Sequence, residues 1–489
     1  MSLKFGTSGL RGLSVDLEGP AAALYATAFA HYLLSTGQAK PRDTVLIARD
    51  FRASSPAISA IAAGALLRAG LSVLDCGTVP TPALALHALA TRSAALMVTG
   101  SHIPADRNGI KFYRPDGEIA KADEQAITQA ADALRASQTA IDAKPAEVPT
   151  IEVTVRDLFV ARNVSLLPDR ALSGLRVGVY QHSTVARDLF VDILTHYGAD
   201  VVPLGRSETF IPVDTEAVSP ETITALRGWA SEHRLDAIVS ADGDGDRPLV
   251  SNEAGEPIRG DLLGLIAAEF FGATVAVTPV TSNSGLERRG TTDILRTRVG
   301  SPFVIAGMQD AAKAGHDRVV GFEANGGTLT GSAVTVNGTT LAALPTRDCF
   351  LPVLAVLQQA AQRRQPLSAI VSGYNLPIAL SDRLERFPVE TSQALMDHLR
   401  SSPAALAAFV EPLGVPTSVS DIDGLRITLA DDSIVHLRPS GNAPEMRCYV
   451  EAEREEKAIA LLTAGLARIR AWAEQASTGQ ATDPGKAAE

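Results

Sequence analysis

The chain has 489 residues, 46% of them hydrophobic, 20% charged and 5% aromatic, which is the composition of a folded globular protein and not of a disordered one. A formal charge of −11 argues against general nucleic-acid binding or attachment to an anionic membrane, both of which need a basic face. Cys76, Cys349 and Cys448 are widely separated and show no Cys-x-x-Cys spacing, so neither a disulfide framework nor a zinc site is supported, and the setting reads as reduced and cytoplasmic.

The N-terminus has no apolar signal core, and the longest apolar run, 262–277, is broken by Glu269. Neither export nor a membrane anchor is expected. A length prior of roughly 100 to 200 residues per domain predicts three or four domains. The first is placed at 1–150. It opens with Phe5-Gly-Thr-Ser-Gly-Leu-Arg-Gly12, a glycine-rich run that can bring backbone and the Arg11 guanidinium up to a phosphate. Apolar patterning then predicts a helix over 20–36, a strand over 44–48, a helix over 54–68 and a strand over 71–74, an alternation that implies crossover units in a helix-covered, largely parallel sheet.

A short buried strand at 94–98 leads into Thr99-Gly-Ser-His-Ile-Pro104 and then Asn108-Gly-Ile-Lys111. Ser101 therefore sits on a loop leaving a sheet edge, where α/β enzymes hold their ligands, and it is read as the reacting residue. Arg114-Pro-Asp-Gly117 reads as a turn, and a helix followed by a Lys-Pro-Ala-Glu-Val-Pro linker ends the domain.

The second domain, 151–256, is expected to carry strands over 175–180, 201–204 and 235–240 and a helix over 185–197. Its last strand runs into Asp242-Gly-Asp-Gly-Asp-Arg247. Three carboxylates at alternate positions, spaced by glycines that allow a tight loop, can converge on one hard divalent cation. Asp242, Asp244, Asp246 and Glu253 also fall at positions of a calcium-binding helix-loop-helix, but Arg247 stands where that loop needs glycine and the flanks read as strands.

The third domain, 257–366, is predicted to have a helix over 262–270, a strand over 274–278 and a long helix over 341–362. Between them lies Gly321-Phe-Glu-Ala-Asn-Gly-Gly327, where Glu323 and Asn325 could grip sugar hydroxyls. The fourth, 367–475, has an antiparallel α+β rhythm with strands over 425–429, 433–437 and 446–452 and helices near 392–400 and 453–473. Its turn Arg438-Pro-Ser-Gly-Asn-Ala-Pro-Glu-Met-Arg447 is rich in phosphate-binding parts: two arginines, the Ser440 hydroxyl, the Gly441 backbone and the Asn442 amide. Residues 476–489 are expected to be a disordered tail.

Five of these stretches, in this order, resemble those of the α-D-phosphohexomutases: the opening glycine-rich run, the Thr-Gly-Ser-His-x-Pro loop with its later Asn-Gly-x-Lys, the Asp-Gly-Asp-Gly-Asp-Arg loop, the Gly-Phe-Glu loop and the Arg-Pro-Ser-Gly turn. Within the family they look most like the bacterial phosphomannomutases. The resemblance implies three similar mixed-sheet α/β domains and a smaller TATA-binding-protein-like α+β domain around one cleft. It implies a phosphorylated Ser101 that, with Asp242, Asp244 and Asp246, holds Mg2+, with Arg247 facing the phosphoserine. Lys111 resembles the family's general acid/base, and its pKa would have to be lowered for that role. Arg438, Ser440 and Gly441 match the phosphate clamp, with Asn442 in place of its threonine and Arg447 closing the turn, and Glu323 matches the sugar contact.

Five positions depart from the family pattern: Ile103 for asparagine, Asn325 for serine, Gly327 for a histidine given a proton-transfer role, Asn442 for threonine and Ala443 for glutamate. His102 is the second candidate for proton transfer. The implied reaction interconverts mannose 6-phosphate and mannose 1-phosphate through a hexose 1,6-bisphosphate, in a monomer or homodimer. The alternatives are a phosphoglucomutase or phosphoglucosamine mutase, a silent sugar-phosphate binder, and a metal-dependent phosphatase.

Overall fold

The computed structural model describes residues 3–5, 9–137, 140–290, 292–440 and 444–477. They form two compact units, Met1–Thr278 with Gly290–Leu295 and Gly300–Tyr374, and Pro279–Arg289 with Arg296–Val299 and Asn375–Glu489.

The first unit carries three mixed sheets. In the first, Thr44–Arg49 lies parallel to Ser72–Gly77 and to Ala94–Val98. Helices Ser55–Arg68 and Thr81–Thr91 make the crossovers. Ala94–Val98 is buried along its length, as a continuous apolar strand covered on both faces should be. The chain returns antiparallel as Arg107–Arg114, which sets Lys111 opposite Met97, and Leu10–Leu13 pairs with that strand so that Arg11 faces Gly109. Arg114 and Gly117 close the expected turn.

The second sheet runs Pro248–Ser251, Ala237–Ala241, Arg176–Tyr180, Asp200–Leu204. Ala241 pairs with Pro248 antiparallel, so Asp242 to Arg247 is a hairpin loop and not the loop of a helical calcium site. In the third, Val319–Phe322 is parallel to Val275–Pro279 and antiparallel to Thr328–Thr330, which pairs in turn with Leu344–Asp348.

That last strand corrects the helix expected over 341–362. The helix is Phe350–Arg363, and the segment before it is a strand. Leu344–Asp348 is buried at four of its five positions, and a short buried strand cannot be told from a buried helix by apolar periodicity. The helix expected from 20 begins at Ala22, after a kinked turn over Leu17–Ala21 that contains Pro20.

The second unit is built on an antiparallel sheet in the order Ile378–Leu384, Met446–Ala452, Ile434–Pro439, Leu425–Leu429, Pro416–Ser420. Helices Val389–Ser401 and Glu455–Ser477 accompany it, and Leu395, Leu399, Ile427, Leu437, Val450 and Ile469 form its core. The last helix runs to Ser477, and the rest of the expected tail, 478–489, lies outside the described residues. Among the described residues no helix is long and apolar enough to cross a membrane.

Candidate active site

Ser101 follows the buried strand Ala94–Val98 and has φ 55, a left-handed conformation that costs a non-glycine residue energy and must be held by its surroundings. What holds it is a buried polar relay. The Ser101 N–H donates to Thr99 Oγ1 at 2.7 Å, and Thr99 Oγ1 donates to Asp50 Oδ2 at 2.7 Å. Asp50 also accepts from Ser55 Oγ at 2.6 Å and pairs with Arg52 at 3.2 Å. Arg52, 1% exposed, donates in turn to the carbonyls of Ser101 (2.9 Å), Ile103 (2.6 Å), Pro104 (2.6 Å) and Arg107 (2.8 Å). One guanidinium therefore satisfies four carbonyls of the loop. The guanidinium carbon lies over the Phe210 ring, 4.0 Å from the centroid. Burial pushes the Asp50 carboxyl up and the Arg52 guanidinium down from their ordinary values.

The Ser101 hydroxyl donates to Asp242 Oδ2 at 2.5 Å and lies 3.4 Å from His102 Nδ1. This joins the serine loop to the acidic hairpin, and glycine makes the approach possible. A Cβ at Gly243 would sit 2.9 Å from the Ser101 carbonyl oxygen and 2.9 Å from the Phe210 ring. Asp242 Oδ1 caps the hairpin by accepting the N–H groups of Asp246 and Arg247, each at 3.2 Å.

Oxygens of Asp242, Asp244 and Asp246, all fully buried, lie within 4.8 Å of one another. Lys111 Nζ donates to Asp244 Oδ2 at 2.5 Å and to Asp246 Oδ2 at 2.6 Å. Thr81 Oγ1 also donates to Asp244 Oδ2, at 2.5 Å. Even so, Oδ1 of Asp244 and Oδ1 of Asp246 are buried without a hydrogen-bond partner. Burial, then Asp244 and Asp246, push Asp242 up to about 8, whereas Asp246, which burial would also raise, is held well below the usual carboxylate range by Arg347 and Lys111. Orphaned carboxylate oxygens and mutual repulsion among three acids are what a hard divalent cation relieves. The donor set fits magnesium, with the Ser101 oxygen beside it.

Around the acids stand Arg11, Lys111, Arg247 and Arg347. Burial, then Arg247 and Arg347, bring Arg11 down to about 10, so it remains charged at neutral pH. Arg247 Nη1 donates to His102 Nδ1 at 3.0 Å. Burial and that neighbouring charge push His102 down to about 3, leaving a neutral imidazole at pH 7. The lowering expected for Lys111 is not found: burial acts in that direction, but Asp244 and Asp246 outweigh it and raise the lysine above its ordinary value. It stands here as a charged donor.

Glu323 follows the strand Val319–Phe322, is 4% exposed, and accepts from Arg347 Nη1 at 2.7 Å. Asn325 stands two residues further along the same loop. Its Oδ1 accepts the Gly327 N–H at 3.0 Å, and its carbonyl accepts from Thr215 Oγ1 at 3.2 Å, so it braces the loop.

In the second unit, Arg438 and Arg447 are register partners on neighbouring strands, and Arg383 is the partner of Arg447 on its other side. Three cations side by side on a sheet repel one another. Nearby acids offset this: Arg438 pairs with Asp423 at 3.0 Å, Arg447 with Glu445 at 3.3 Å, and Arg383 with Glu385 at 3.0 Å. The Ser440 N–H donates to the Glu445 carbonyl at 2.9 Å. Gly441 and Asn442 lie outside the described residues.

Asp50, Arg52, Thr81, Arg347 and Arg383 were not singled out in the sequence. The one local signal was Arg49-Asp50-Phe51-Arg52 at the end of a predicted strand, a charged cluster where a buried strand stops.

Comparison with known proteins adds to this geometry. The phosphoglucomutase/phosphomannomutase profiles match in order: α/β/α domain I over residues 2–138, domain II over 158–255, domain III over 259–375 and the C-terminal domain over 384–469. A phosphomannomutase of Sinorhizobium fredii is 53% identical over 467 residues, covering 96% of this chain and 98% of that protein. One from Salmonella muenchen is 39% identical, covering 96% of each. Among solved structures, a phosphoglucomutase/phosphomannomutase family protein from Burkholderia thailandensis superposes with a TM-score of 0.73 at 22% identity, over 95% of this chain and 97% of that one. An Aspergillus fumigatus N-acetylphosphoglucosamine mutase in complex with GlcNAc-6P and magnesium gives a TM-score of 0.60 at 14% identity, over 96% of each chain.

Proposed function

The chain belongs to the phosphoglucomutase/phosphomannomutase family, and from that premise we propose that it interconverts mannose 6-phosphate and mannose 1-phosphate through a phosphoserine at Ser101 and a bound hexose 1,6-bisphosphate. One observation carries the chemistry: the Ser101 hydroxyl is bonded to Asp242 at 2.5 Å within a buried acidic triad. The choice of sugar rests on the identity to two phosphomannomutases. We place the reaction in the cytoplasm, which the three free, buried cysteines fit. Four domains are proposed over residues 1–150, 151–256, 257–366 and 367–475, a division the order of the family matches supports.

In the first half-reaction a sugar hydroxyl attacks phosphorylated Ser101. A new P–O bond forms to the sugar, the P–Oγ bond breaks, and the hydroxyl passes its proton to water. The resulting bisphosphate reverses its orientation, and its other phosphoryl group returns to Ser101 as the sugar oxygen it leaves takes a proton back from water. Such transfers depend on alignment and charge neutralisation. Asp242, Asp244, Asp246 and the Ser101 oxygen would hold Mg2+, which when bound supplies positive charge to the transferring group.

Arg11 and Arg247 add fixed positive charge from the protein. Lys111, held charged by Asp244 and Asp246, protonates the departing Ser101 oxygen and recovers that proton when Ser101 attacks again. Lys111 shares its two carboxylates with the residues that would hold the cation, so its charge would be set jointly with theirs. His102, neutral and bonded to Arg247, orients that guanidinium beside Ser101. Glu323 accepts from sugar hydroxyls with Asn325 bracing its loop, and Arg438, Ser440, Gly441, Asn442 and Arg447 bind a substrate phosphate.

The test is kcat/KM measured side by side for mannose 1-phosphate, glucose 1-phosphate and N-acetylglucosamine 1-phosphate, with magnesium and catalytic bisphosphate. Mannose at least equal to glucose is expected. Preference for another sugar keeps the mechanism and overturns the substrate, release of free phosphate makes the protein a phosphatase, and binding without turnover makes it a silent homologue.

A further inference from the structure

Gly327 stands where the family's sugar loop commonly carries a histidine, yet its backbone does not explain the glycine, since it is absent from the glycines with positive φ. Space explains it. A Cβ at Gly327 would lie 2.5 Å from Cδ, 2.7 Å from Cγ and 2.9 Å from Cβ of Arg347, closer than packed carbons approach. These atoms are near the root of the arginine side chain, so they cannot swing away cheaply. The arginine itself is anchored at its far end. It is 3% exposed, its Nη1 donates to Glu323 Oε2 at 2.7 Å, and its Nη2 and Nε donate to Asp246 Oδ2 at 2.7 and 3.1 Å. A planar guanidinium presents several donors in a fixed fork. Here that fork joins two acids from different sheets, one in the sugar loop and one in the acidic hairpin.

We propose that Arg347 takes over the place left by the missing side chain at 327, as a positioning residue that fixes Glu323 toward the sugar and ties it to the Asp246 end of the acidic hairpin. Gly327 and Arg347 are then two halves of one arrangement, in which a loop side chain is exchanged for an arginine reaching in from the strand Leu344–Asp348. The proposal rests on the mutase reading of the site and deepens it. Arg347 acts through Glu323, so its loss is expected to weaken productive sugar binding.

The experiment is steady-state kinetics with mannose 1-phosphate on the full chain with magnesium, for Arg347→Met, Arg347→Lys, Glu323→Gln and the Arg347→Met/Glu323→Gln double variant. Losing a charged hydrogen bond predicts a KM raised roughly tenfold or more in Arg347→Met. Arg347→Lys, which keeps the charge but not the fork, is expected to recover part of that loss. In KM the double variant is expected to match Glu323→Gln within about twofold, as residues acting through one another do, while the lost Asp246 contacts act on kcat. Should Arg347→Met fail to fold, Gly327→Ala crowds the arginine from the other side without deleting a charge, and the same rise in KM is expected.

A KM within about twofold of the parent, or Arg347 and Glu323 effects that simply multiply, would overturn the proposal while parental turnover left the mutase reading intact. A parent that isomerises no hexose phosphate removes that reading and this inference with it.

Discussion

Replacing Arg52 with methionine keeps the length of a buried side chain and deletes its charge and every donor. In the structure those donors serve four carbonyls between Ser101 and Arg107 at 2.6 to 2.9 Å and the Asp50 carboxylate at 3.2 Å. Asp50 would keep Ser55 and Thr99 as donors but lose its cation. Removing one partner of a buried ion pair costs about 3 to 5 kcal/mol. Each carbonyl left unsatisfied adds about 1 to 3 kcal/mol, less than additively if the loop opens to water. A loss of about 4 kcal/mol is therefore a conservative expectation, and it is a large share of the roughly 5 to 15 kcal/mol by which a typical folded protein is stable. The catalytic effect is separate: Ser101 is held at φ 55 by this clamp, and a misplacement of about 1 Å can cost about 10²-fold in rate. Urea unfolding and kcat would be measured for Arg52→Met and Arg52→Lys, the lysine variant being intermediate because a single ammonium cannot reach all four carbonyls. Destabilisation of Arg52→Met below about 1 kcal/mol with kcat within about threefold of the parent would refute the clamp.

Asp244→Asn removes one carboxylate of the triad and should raise the magnesium concentration for half-maximal activity at least about tenfold, since even outer-shell changes cost 10- to 100-fold in metal affinity; an unchanged midpoint in a magnesium titration counts against the assigned site. Arg447→Met should raise KM for mannose 1-phosphate by roughly 10- to 100-fold with a smaller effect on kcat, as loss of a charged phosphate contact does. His436 Nε2 donates to the Asp423 carbonyl at 2.7 Å, and burial pushes the imidazole down to about 4. Its folded pKa lies below its unfolded one, so its contribution to stability is fully present above about 6.5 and is lost as pH falls through about 4. Urea unfolding at pH 7 and pH 5 should show about 2 kcal/mol of this loss, and a His436→Asn variant should lack it.

The parts of the site that could be read from sequence are those whose chemistry is local. The Ser101 loop follows an apolar strand directly, and the three aspartates share six residues with the glycines that shape their hairpin. The alternating strands and helices likewise exposed three α/β domains and a different fourth, because crossover units leave a repeating apolar rhythm. What escaped was chemistry assembled across long separations. Thr81 meets Asp244 over 163 residues, and Arg347 meets Asp246 over 101. Arg347 is hidden twice, since its strand has the apolar pattern of a helix start and its partners lie in other loops. Lys111 shows a third kind of limit: its position was legible, but the direction of its pKa was decided by two carboxylates whose approach only the folded hairpin sets.

In the proposed reaction Ser101 carries the phosphoryl group between two positions of one sugar. The most direct measurement uses mannose 1,6-bisphosphate labelled on phosphorus, followed by peptide mapping of the protein and analysis of the sugar products. Label on Ser101, chased into both mannose 1-phosphate and mannose 6-phosphate by unlabelled substrate and absent from Ser101→Ala, is the predicted result. Label on another residue, or label released only as inorganic phosphate, would contradict it.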